Sequence, residues 1–253
     1  GKKNDGNLYL KEVFKKKASL AFVNTLDKKI KLSKQIKVKN PLKLLTSTST
    51  IIRENINSKI IAITGSCGKT SLKELLAKTL KKFGNVTYSK KSYNNKFGVP
   101  LSLFNLKKND NFGVFEVGMD KKGEIDFLSK IIKPDIGVIT NISYAHAKNF
   151  KNIKQIALAK SEIIKNTKSN GFVVLNADDN FFKFHQKIAY KNNLKVISFG
   201  IKNRISDIKL IEIKKKNLNF KITIKANKVK RSFIISNDFE NNIYNILAAL
   251  AVI

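Results

Sequence analysis

A short segment with two glycines, a lysine and a threonine is the part of this sequence best suited to hold phosphate groups. It covers residues 64–71, has the sequence TGSCGKTS and follows the apolar run Ile60–Ile63. Glycines let a backbone approach an anion closely, and N–H groups at a helix start favour negative charge. Lys69 could then reach the terminal phosphates of a nucleotide, and the Thr70 hydroxyl could ligate Mg²⁺. The predicted loop residues are Gly65, Ser66, Cys67, Gly68, Lys69, Thr70 and Ser71.

The spacing of the glycines separates this loop from the common phosphate-binding loop. Two residues, Ser66 and Cys67, lie between Gly65 and Gly68, whereas the common motif has four. An ordinary glycine turn before a helix is the alternative, but the strand, the Lys-Thr pair and the following helix favour a phosphate site. Cys67 is interpreted as a small loop residue rather than a nucleophile, because no histidine stands near it in sequence.

Apolar runs alternate with amphipathic segments through the middle of the chain and predict the elements that hold this loop. Strands alternating with helices predict an α/β fold with a mostly parallel sheet, of the phosphate-loop type, covered by helices on both faces. The predicted strands are Lys59–Thr64, Val86–Tyr88, Phe112–Val117, Ile136–Ile139, Phe172–Leu175 and Lys195–Phe199. The predicted helices are Ser71–Phe83, Leu101–Leu106, Ile125–Ile132, Ile153–Asn166 and Phe181–Asn192.

The pattern changes after Gly200. Residues 205–213, 218–224 and 229–235 alternate apolar and polar side chains, which indicates a small antiparallel section near 205–235 with one face in solvent. A last helix is expected over Asn242–Ile253, and we expect its Ala-rich apolar stripe to be partly exposed. This apolar end leads us to expect further protein beyond the chain.

The first 57 residues lack the regular alternation of the rest. We predict a helix over Leu8–Lys17, a strand over Leu20–Val23 and a helix from Pro41 to Asn55. These segments have too few apolar residues to close a core of their own. We therefore expect them to be part of a larger N-terminal α/β domain.

Composition limits the class of protein. The chain has 253 residues, of which 42% are hydrophobic, enough for one large domain or one domain and part of another. No apolar stretch approaches the roughly 20 residues that a membrane-spanning helix needs. The polar segment Gly1–Gly6 is followed by no apolar core, so no signal peptide is expected. One cysteine, Cys67, excludes an internal disulfide and suits a reducing cytoplasm.

The formal net charge of +32 is the strongest compositional bias. One coherent basic face would indicate nucleic acid or an anionic membrane as partner. The lysines are instead spread along the whole chain, so we interpret most of the charge as a bias of composition. Part of it could still attract anionic substrates.

Several further segments, in order along the chain, resemble motifs of the Mur ligase family. The first is Lys73-Glu74, directly after the phosphate loop. The others are SYNNKFGVPLSL (92–103), VFEVGM and GEI (114–119 and 123–125), PD to TNI with His146 (134–146), ALAKSEI (157–163), NADD (176–179) and NIYNILAA (242–249). Each motif is weak alone, but together they are specific, and they run in family order from about Asp5 to Ile253.

The resemblance implies three domains in a complete enzyme: an N-terminal domain for a UDP-sugar, a central ATPase domain and a C-terminal domain that closes over the nucleotide. Residues 1–57 would be the second half of the first domain, and residues 58–253 most of the central one. The C-terminal domain would be absent. We therefore expect a fragment, shortened at both ends, that does not catalyse ligation alone.

The implied reaction is ATP-driven amide formation. A carboxylate attacks the γ-phosphate, giving an acyl phosphate and ADP, and an amine then displaces phosphate. The segment Ser92–Pro100 is similar to that of the family member that adds D-alanyl-D-alanine to UDP-MurNAc-tripeptide in peptidoglycan precursor synthesis. These two substrates are the implied partners, and ATP with two Mg²⁺ ions the implied cofactors. A monomer in the bacterial cytoplasm is expected for the full-length protein.

A small set of residues carries the implied catalysis. Lys69 would hold the β- and γ-phosphates together with the loop amides. Thr70 and Glu116 would hold one Mg²⁺ through hard oxygen ligands. His146 and Lys160 would lie at a second metal, where the family's matching lysine is carbamylated by CO₂ and so becomes a carboxylate-like ligand. An apolar helix face suits such a lysine, because an ammonium is poorly solvated there.

Asparagines supply the other implied contacts. Ser92, Asn94 and Asn95 would contact the sugar nucleotide or peptide, an Asn-rich turn being the alternative. Asn141, Asn242 and Asn245 would belong to the nucleotide site, the last two flanking adenine. The residue before Asn242 is Asn241, where the family usually has histidine, so ring stacking on adenine is not expected there, and Asn245 could still hydrogen bond to the edge of adenine.

His185 and the pair Asp178-Asp179 are given no catalytic role. We interpret His185 as structural and the aspartates as helix-capping residues.

Two other functions are compatible with parts of the sequence. A sister Mur ligase or a folylpolyglutamate synthetase would share the loop, the acid and the lysine. A non-catalytic, basic module that binds nucleotide or nucleic acid would explain the charge but not the residues Glu116, His146 and Lys160. The segment Ser92–Pro100 favours the ligase that uses D-alanyl-D-alanine.

Overall fold

The computed structural model describes residues 5–144, 149–217, 219–227, 229–236 and 242–253. Contacts divide the chain into two compact units, Gly1–Ser49 and Thr50–Ile253. No helix formed by the described residues is long and apolar enough to cross a membrane.

The smaller unit contains a short parallel pair of strands. Its elements are α1 (Leu10–Lys15), β1 (Ala21–Val23) and β2 (Gln35–Lys37), and α2 (Pro41–Glu54) begins within it. The predictions of β1 and α2 are confirmed to within a residue. β2 was not predicted, because three residues show no periodicity. The buried Gln35 side chain stabilises this strand, because its amide donates to the carbonyls of Asp27 (2.9 Å) and Ile30 (3.0 Å).

The larger unit is built on one sheet of nine strands among the described residues. Strands β3 to β9 pair in parallel, and β9 to β11 pair antiparallel, as predicted for the end of the chain. The strands are β3 (Lys59–Thr64), β4 (Val86–Tyr88), β5 (Phe112–Glu116), β6 (Ile136–Ile139), β7 (Phe172–Asn176), β8 (Lys195–Gly200), β9 (Ile208–Lys216), β10 (Asn219–Ala226) and β11 (Val229–Ser236).

The order of the strands puts β3 at the functional centre. The order is β11-β10-β9-β8-β7-β6-β3-β5-β4, so β3 lies between β5 and β6 and the direction of winding reverses there. Open α/β sheets hold their ligands at the carboxyl ends of the strands at such a reversal. Residues 60–64 of β3 are all buried, which is typical of a parallel strand covered on both faces.

Helices cover both faces of the sheet, as predicted. Leu72, Leu76 and Leu247 pack on one face, and Leu103, Leu128 and Ile163 are among the apolar residues of the other. The first face carries α3 (Lys69–Leu80) and α9 (Ile243–Val252). The second carries α4 (Gly98–Leu103), α5 (Glu124–Ile132), α6 (Ile153–Lys160), α7 (Glu162–Lys165) and α8 (Phe182–Lys191).

Three of the boundaries that differ from the predictions have local reasons. Helix α4 begins three residues before Leu101, because Pro100 fits the first helical turn, where its missing N–H is not needed. The predicted helix over residues 153–166 divides at Ser161, whose hydroxyl donates to the Leu158 carbonyl (2.7 Å). Strand β9 starts at Ile208 and not at 205, because the Asp207 carboxylate accepts from the backbone N–H and hydroxyl of Ser198 (2.8 and 2.6 Å).

The expectation of an exposed apolar stripe on the last helix was wrong for most of its length. Ile243, Ile246, Leu247 and Ala248 on α9 are buried, and the helix packs against α3, β7, β8 and β9. The side chains that reach solvent are at its ends, where Ile253 is 55% exposed. The helix is therefore part of the core of this unit.

Candidate active site

The loop between β3 and α3 follows a backbone course that excludes side chains at both glycines. At Gly65, where φ is +150°, a Cβ atom would lie 1.8 Å from the Oγ1 of Thr140. At Gly68, where φ is +82°, it would lie 2.8 Å from the Oδ1 of Asn245. Glycine is required at these positions because the loop is pressed between β6 and the start of α9, and Gly68 occupies the position just before α3.

Residues that follow β6 hold the loop from behind. The Thr140 hydroxyl donates to the Cys67 carbonyl (2.7 Å), and the Asn141 Oδ1 accepts from the Cys67 N–H (3.0 Å). The Ser66 hydroxyl donates to the Ser143 carbonyl (3.0 Å) and accepts from the Ser143 N–H (2.8 Å). Asn141 was predicted at this site from the family motif. Thr140 and Ser143 were not predicted at this site.

The side chain of Lys69 folds back over the loop. Its ammonium donates to the carbonyls of Gly65 (2.8 Å) and Ser66 (3.4 Å). Burial lowers the pKa of Lys69, and the negative charge of Glu116 opposes this shift. The Lys69 ammonium is thus held at the loop that precedes α3. The ammonium and the positive end of the α3 helix dipole both favour an anion there.

Glu116 is the acidic residue of the site and is almost completely buried at 1% exposure. One carboxylate oxygen accepts from the Thr70 hydroxyl (2.8 Å), and the other accepts from the Asn94 amide (2.7 Å). The predicted metal ligands Thr70 and Glu116 are therefore in contact across the ends of α3 and β5. Two oxygen ligands of this kind suit Mg²⁺, which prefers hard oxygen ligands and keeps several of its waters.

The predicted substrate residues have different surroundings. The Asn94 side-chain amide donates to Glu116, and the Asn94 backbone carbonyl accepts from the Gly118 N–H (2.8 Å). The Asn95 Oδ1 accepts from the N–H groups of Phe97 and Gly98 (both 3.0 Å), so Asn95 stabilises the start of α4. Ser92 is exposed on the same loop.

Lys160 is buried at the end of α6, at 2% exposure, and Ala157 and Ala159 on the same helix are also buried. No residue that the structure describes accepts a hydrogen bond from its ammonium. Burial, with the positive charge of Lys69 as a smaller cause, lowers the pKa of Lys160 to about 7. A substantial fraction of this amine is then uncharged at neutral pH. His146, its predicted partner, lies outside the described residues, as does Asn241.

The beginning of α9 reaches the loop from the opposite side. Asn245 is buried beside Gly68, and its amide donates to the Asn242 Oδ1 (3.4 Å). The two predicted adenine-flanking residues therefore contact each other, and Asn245 also lies beside the glycine that precedes α3.

The interpretation of Asp178 and Asp179 as helix-capping residues was wrong for Asp178, whereas the Asp179 Oδ1 accepts from the Phe181 N–H (2.8 Å) in the turn just before α8. The Asp178 carboxylate accepts from the N–H groups of residues 201–203 and from the Tyr244 hydroxyl (3.0 Å). Asp179 accepts from the Ile142 N–H (2.7 Å), and α8 has no side-chain cap. Both aspartates thus connect the loops behind the site to one another.

His185 is structural, as predicted. Its ring Nε2 lies 3.0 Å from the Ala157 carbonyl, and burial lowers the pKa of His185. Across the described residues, no group of three His, Cys, Asp or Glu side chains is arranged to hold a metal ion.

Fold and site together define an α/β protein in which a Gly-Lys-Thr loop joins β3, an inner strand of a mostly parallel sheet, to a helix beside a buried carboxylate. The chain belongs to the Mur ligase family: residues 63–253 match the Mur ligase middle domain. It is 38% identical over 211 residues to the UDP-N-acetylmuramoyl-tripeptide--D-alanyl-D-alanine ligase of Buchnera aphidicola subsp. Acyrthosiphon pisum (strain APS), covering 81% of this chain and 44% of that protein. The chain spans about half the length of the curated relatives it matches.

Solved structures agree with this assignment. MurF from Acinetobacter baumannii superposes with a TM-score of 0.86 at 28% identity, covering 100% of this chain and 54% of that one. MurF ligase from Thermotoga maritima in complex with ADP superposes with a TM-score of 0.84 at 25% identity, covering 100% and 57%. The predicted family and fold class are confirmed.

Proposed function

We propose that this chain is the nucleotide-binding part of an ATP-dependent ligase that adds D-alanyl-D-alanine to UDP-MurNAc-tripeptide in peptidoglycan precursor synthesis. The main support for this proposal is the buried Glu116 carboxylate, which accepts hydrogen bonds from Thr70 and Asn94 beside the loop that carries Lys69. A carboxylate able to ligate a metal ion therefore lies next to a loop able to bind phosphates. The relatives named for this reaction support the choice of substrates.

The phosphates of ATP are bound by Lys69 and by the backbone N–H groups from Gly65 to Ser71. Ser66 and Cys67 contribute through the loop backbone, which Thr140 and Asn141 hold in place. Thr70 and Glu116 hold one Mg²⁺, and their buried oxygen atoms fit that ion. Bound there, the ion neutralises charge on the phosphate oxygens during transfer.

A second metal is held by His146 and Lys160, with Lys160 as its carbamate. Support for this proposal is the burial of Lys160 in an apolar part of α6, where an ammonium is costly and an uncharged amine or a metal-bound carbamate is not. The positive charge of Lys69 acts in the same direction, since it opposes a second cation nearby.

Asn141, Asn242 and Asn245 form the nucleoside end of the site. The contact between Asn245 and Gly68 supports this, because it brings the start of α9 to the phosphate loop. The carboxylate substrate approaches from the loop that carries Ser92, Asn94 and Asn95. Residues 1–57 belong to the domain that binds the UDP-sugar, and residues 58–253 to the ATP-binding domain.

Catalysis by this arrangement consists of alignment and charge neutralisation. The substrate carboxylate attacks the γ-phosphate while Lys69 and the loop amides stabilise the charge that develops on its oxygens. The acyl phosphate formed is then attacked by the amine of D-alanyl-D-alanine, and phosphate leaves.

We place the enzyme in the bacterial cytoplasm as a monomer. The exposed thiol of Cys67 stays reduced in that compartment.

Nucleotide binding is tested with the 253-residue chain. Thermal unfolding is followed with and without ADP and Mg²⁺ for the wild type, Lys69→Ala and Lys78→Ala, the last being an exposed lysine of the same helix. ADP should stabilise the wild type and Lys78→Ala but not Lys69→Ala. Equal stabilisation of all three would contradict the phosphate-loop assignment.

The substrates are tested with a longer protein that contains this chain and flanking domains. Release of ADP is measured with UDP-MurNAc-tripeptide and D-alanyl-D-alanine, and with single amino acids or folates in their place. Turnover restricted to D-alanyl-D-alanine is expected. Preference for a single amino acid would assign the chain to a sister ligase, and preference for a folate to a folylpolyglutamate synthetase.

A further inference from the structure

Lys73 is a charged side chain that none of the proposed chemistry uses, although it is completely buried at 0% exposure in α3. Lysine is rarely buried to this extent unless its ammonium is paired. Here the ammonium donates a hydrogen bond to the Lys91 carbonyl and forms an ion pair with the half-exposed Glu74 carboxylate (3.0 Å). A buried cation aimed at a backbone carbonyl fixes the position of the segment that carries that carbonyl.

The segment fixed in this way is the one that reaches Glu116. Lys91 has a φ of +47°, a conformation that non-glycine residues adopt only when their surroundings hold them there. Two hydrogen bonds tighten the turn that follows, from the Tyr93 N–H to the Lys90 carbonyl (3.1 Å) and from the Asn94 N–H to the Ser92 carbonyl (2.8 Å). The turn ends at Asn94, whose amide donates to the Glu116 carboxylate.

Helix α3 is therefore tied to the same loop twice. Thr70 reaches the loop through Glu116 and Asn94, and Lys73 reaches it through the Lys91 carbonyl. Residues three apart lie on the same side of a helix, so the side chains of Thr70 and Lys73 extend from the same side of α3. The contact made by Lys73 does not involve Glu116.

We propose that Lys73 is a positioning residue for the Mg²⁺-nucleotide site: by holding the Lys91 carbonyl it fixes Asn94, and Asn94 fixes the orientation of the Glu116 carboxylate. This inference rests on the proposed function, because it takes Glu116 as a ligand of Mg²⁺. A residue that merely filled space in α3 would affect the stability of the chain but not its requirement for Mg²⁺. The two roles are therefore separable by measurement.

The experiment measures the Mg²⁺ concentration that gives half of the ADP-dependent thermal stabilisation of the 253-residue chain, at fixed ADP. Lys73→Met keeps the length and volume of the side chain but removes the charge and the donor. Its Mg²⁺ midpoint should rise by about 10–100-fold, the usual effect of losing a group that orients a metal ligand. Asn94→Ala should give a similar rise, and Lys73→Met combined with Asn94→Ala should be no worse than Asn94→Ala alone.

Arg53→Met is the matched control for loss of a buried cation. Arg53 is 3% exposed and donates to the carbonyls of Ile56, Ile132 and Lys133, none of which belongs to the site. This variant should unfold at a lower temperature with an unchanged Mg²⁺ midpoint. Lys78→Met controls for loss of an exposed lysine on α3 and should change neither quantity.

The outcomes distinguish the two proposals. A wild-type chain that ADP and Mg²⁺ do not stabilise overturns the proposed function, and the role of Lys73 with it. A stabilised wild type and a Lys73→Met variant with the wild-type Mg²⁺ midpoint overturn the positioning role alone. If Lys73→Met does not fold, Lys73→Gln, whose shorter neutral side chain also loses the ammonium, decides by the same tenfold criterion.

Discussion

Replacing Gly65 by alanine tests whether the phosphate loop is held against β6 as tightly as its geometry indicates. The added Cβ would lie 1.8 Å from the Oγ1 of Thr140 and 3.0 Å from its Cβ. Backbone strain at the positive φ of Gly65 should cost about 1–3 kcal/mol, and the collision a further ~1–3 kcal/mol. Gly65→Ala should thus lose roughly 2–6 kcal/mol of unfolding free energy, by addition of these two ranges.

A second substitution separates the two contributions. Thr140→Ala removes the colliding oxygen and also the hydrogen bond to the Cys67 carbonyl, which should cost about 1 kcal/mol alone. The double variant should then be more stable than the sum of the single effects predicts by about 1–2 kcal/mol, the part of the collision that is relieved. Gly123→Ala is the control for strain alone, because Gly123 has a φ of +86° and open space around its Cβ position.

Urea unfolding followed by far-ultraviolet circular dichroism measures these differences. Since the chain contains no tryptophan, backbone signal is preferable to fluorescence. Strict additivity of Gly65→Ala and Thr140→Ala would contradict this prediction, because it would mean that the two side chains do not meet. A Gly65→Ala loss equal to that of Gly123→Ala would have the same meaning.

Two further predictions concern charged groups. Asp178→Asn should lower the free energy of unfolding by about 1–3 kcal/mol, because an amide cannot accept all the hydrogen bonds made by residues 201–203 and Tyr244. Urea unfolding measures this loss. A loss no larger than that caused by Tyr244→Phe would contradict the prediction. Lys160 is expected to make stability depend on pH. Its pKa in the folded chain is about 7, against an ordinary lysine pKa of 10.5. Between these values the unfolded chain binds the extra proton, so stability rises with pH. From pH 7.5 to 9.5 the free energy of unfolding of the wild type should rise by about 2–3 kcal/mol more than that of Lys160→Met, at ~1.4 kcal/mol per pH unit. Urea titrations in CO₂-free buffer measure this difference. Parallel pH curves for the two proteins would show that Lys160 is not desolvated.

Much of the larger unit could be predicted because its strands are short apolar runs with clear ends. β3, β4 and β6 have the predicted bounds, since each is bordered by glycine, proline or polar residues. The contact between Thr70 and Glu116 also follows from motifs, because the loop and the strand end must meet at the carboxyl edge of a parallel sheet.

Other features were beyond sequence reasoning because they depend on partners far away along the chain. Nothing near Asp178 indicates that it accepts hydrogen bonds from the segment after β8 and from Tyr244 on α9. Burial of Lys73 likewise depends on the Lys91 carbonyl, and a lysine in a lysine-rich chain gives no signal of its own. The roles of His146 and of the carbamate on Lys160 stay predictions.

The outer strand β11 has a consequence for how this chain behaves at high concentration. Among the described residues no strand lies beyond it, and Ile234 on it is 58% exposed. Such an edge is a template for aggregation unless charges oppose a second copy. Lys230 and Arg231 lie on this strand, and Lys225 stands directly opposite Lys230. The abundant lysines would thus keep copies of the chain apart, and because salt screens this repulsion, concentrated stocks should associate more readily as ionic strength rises.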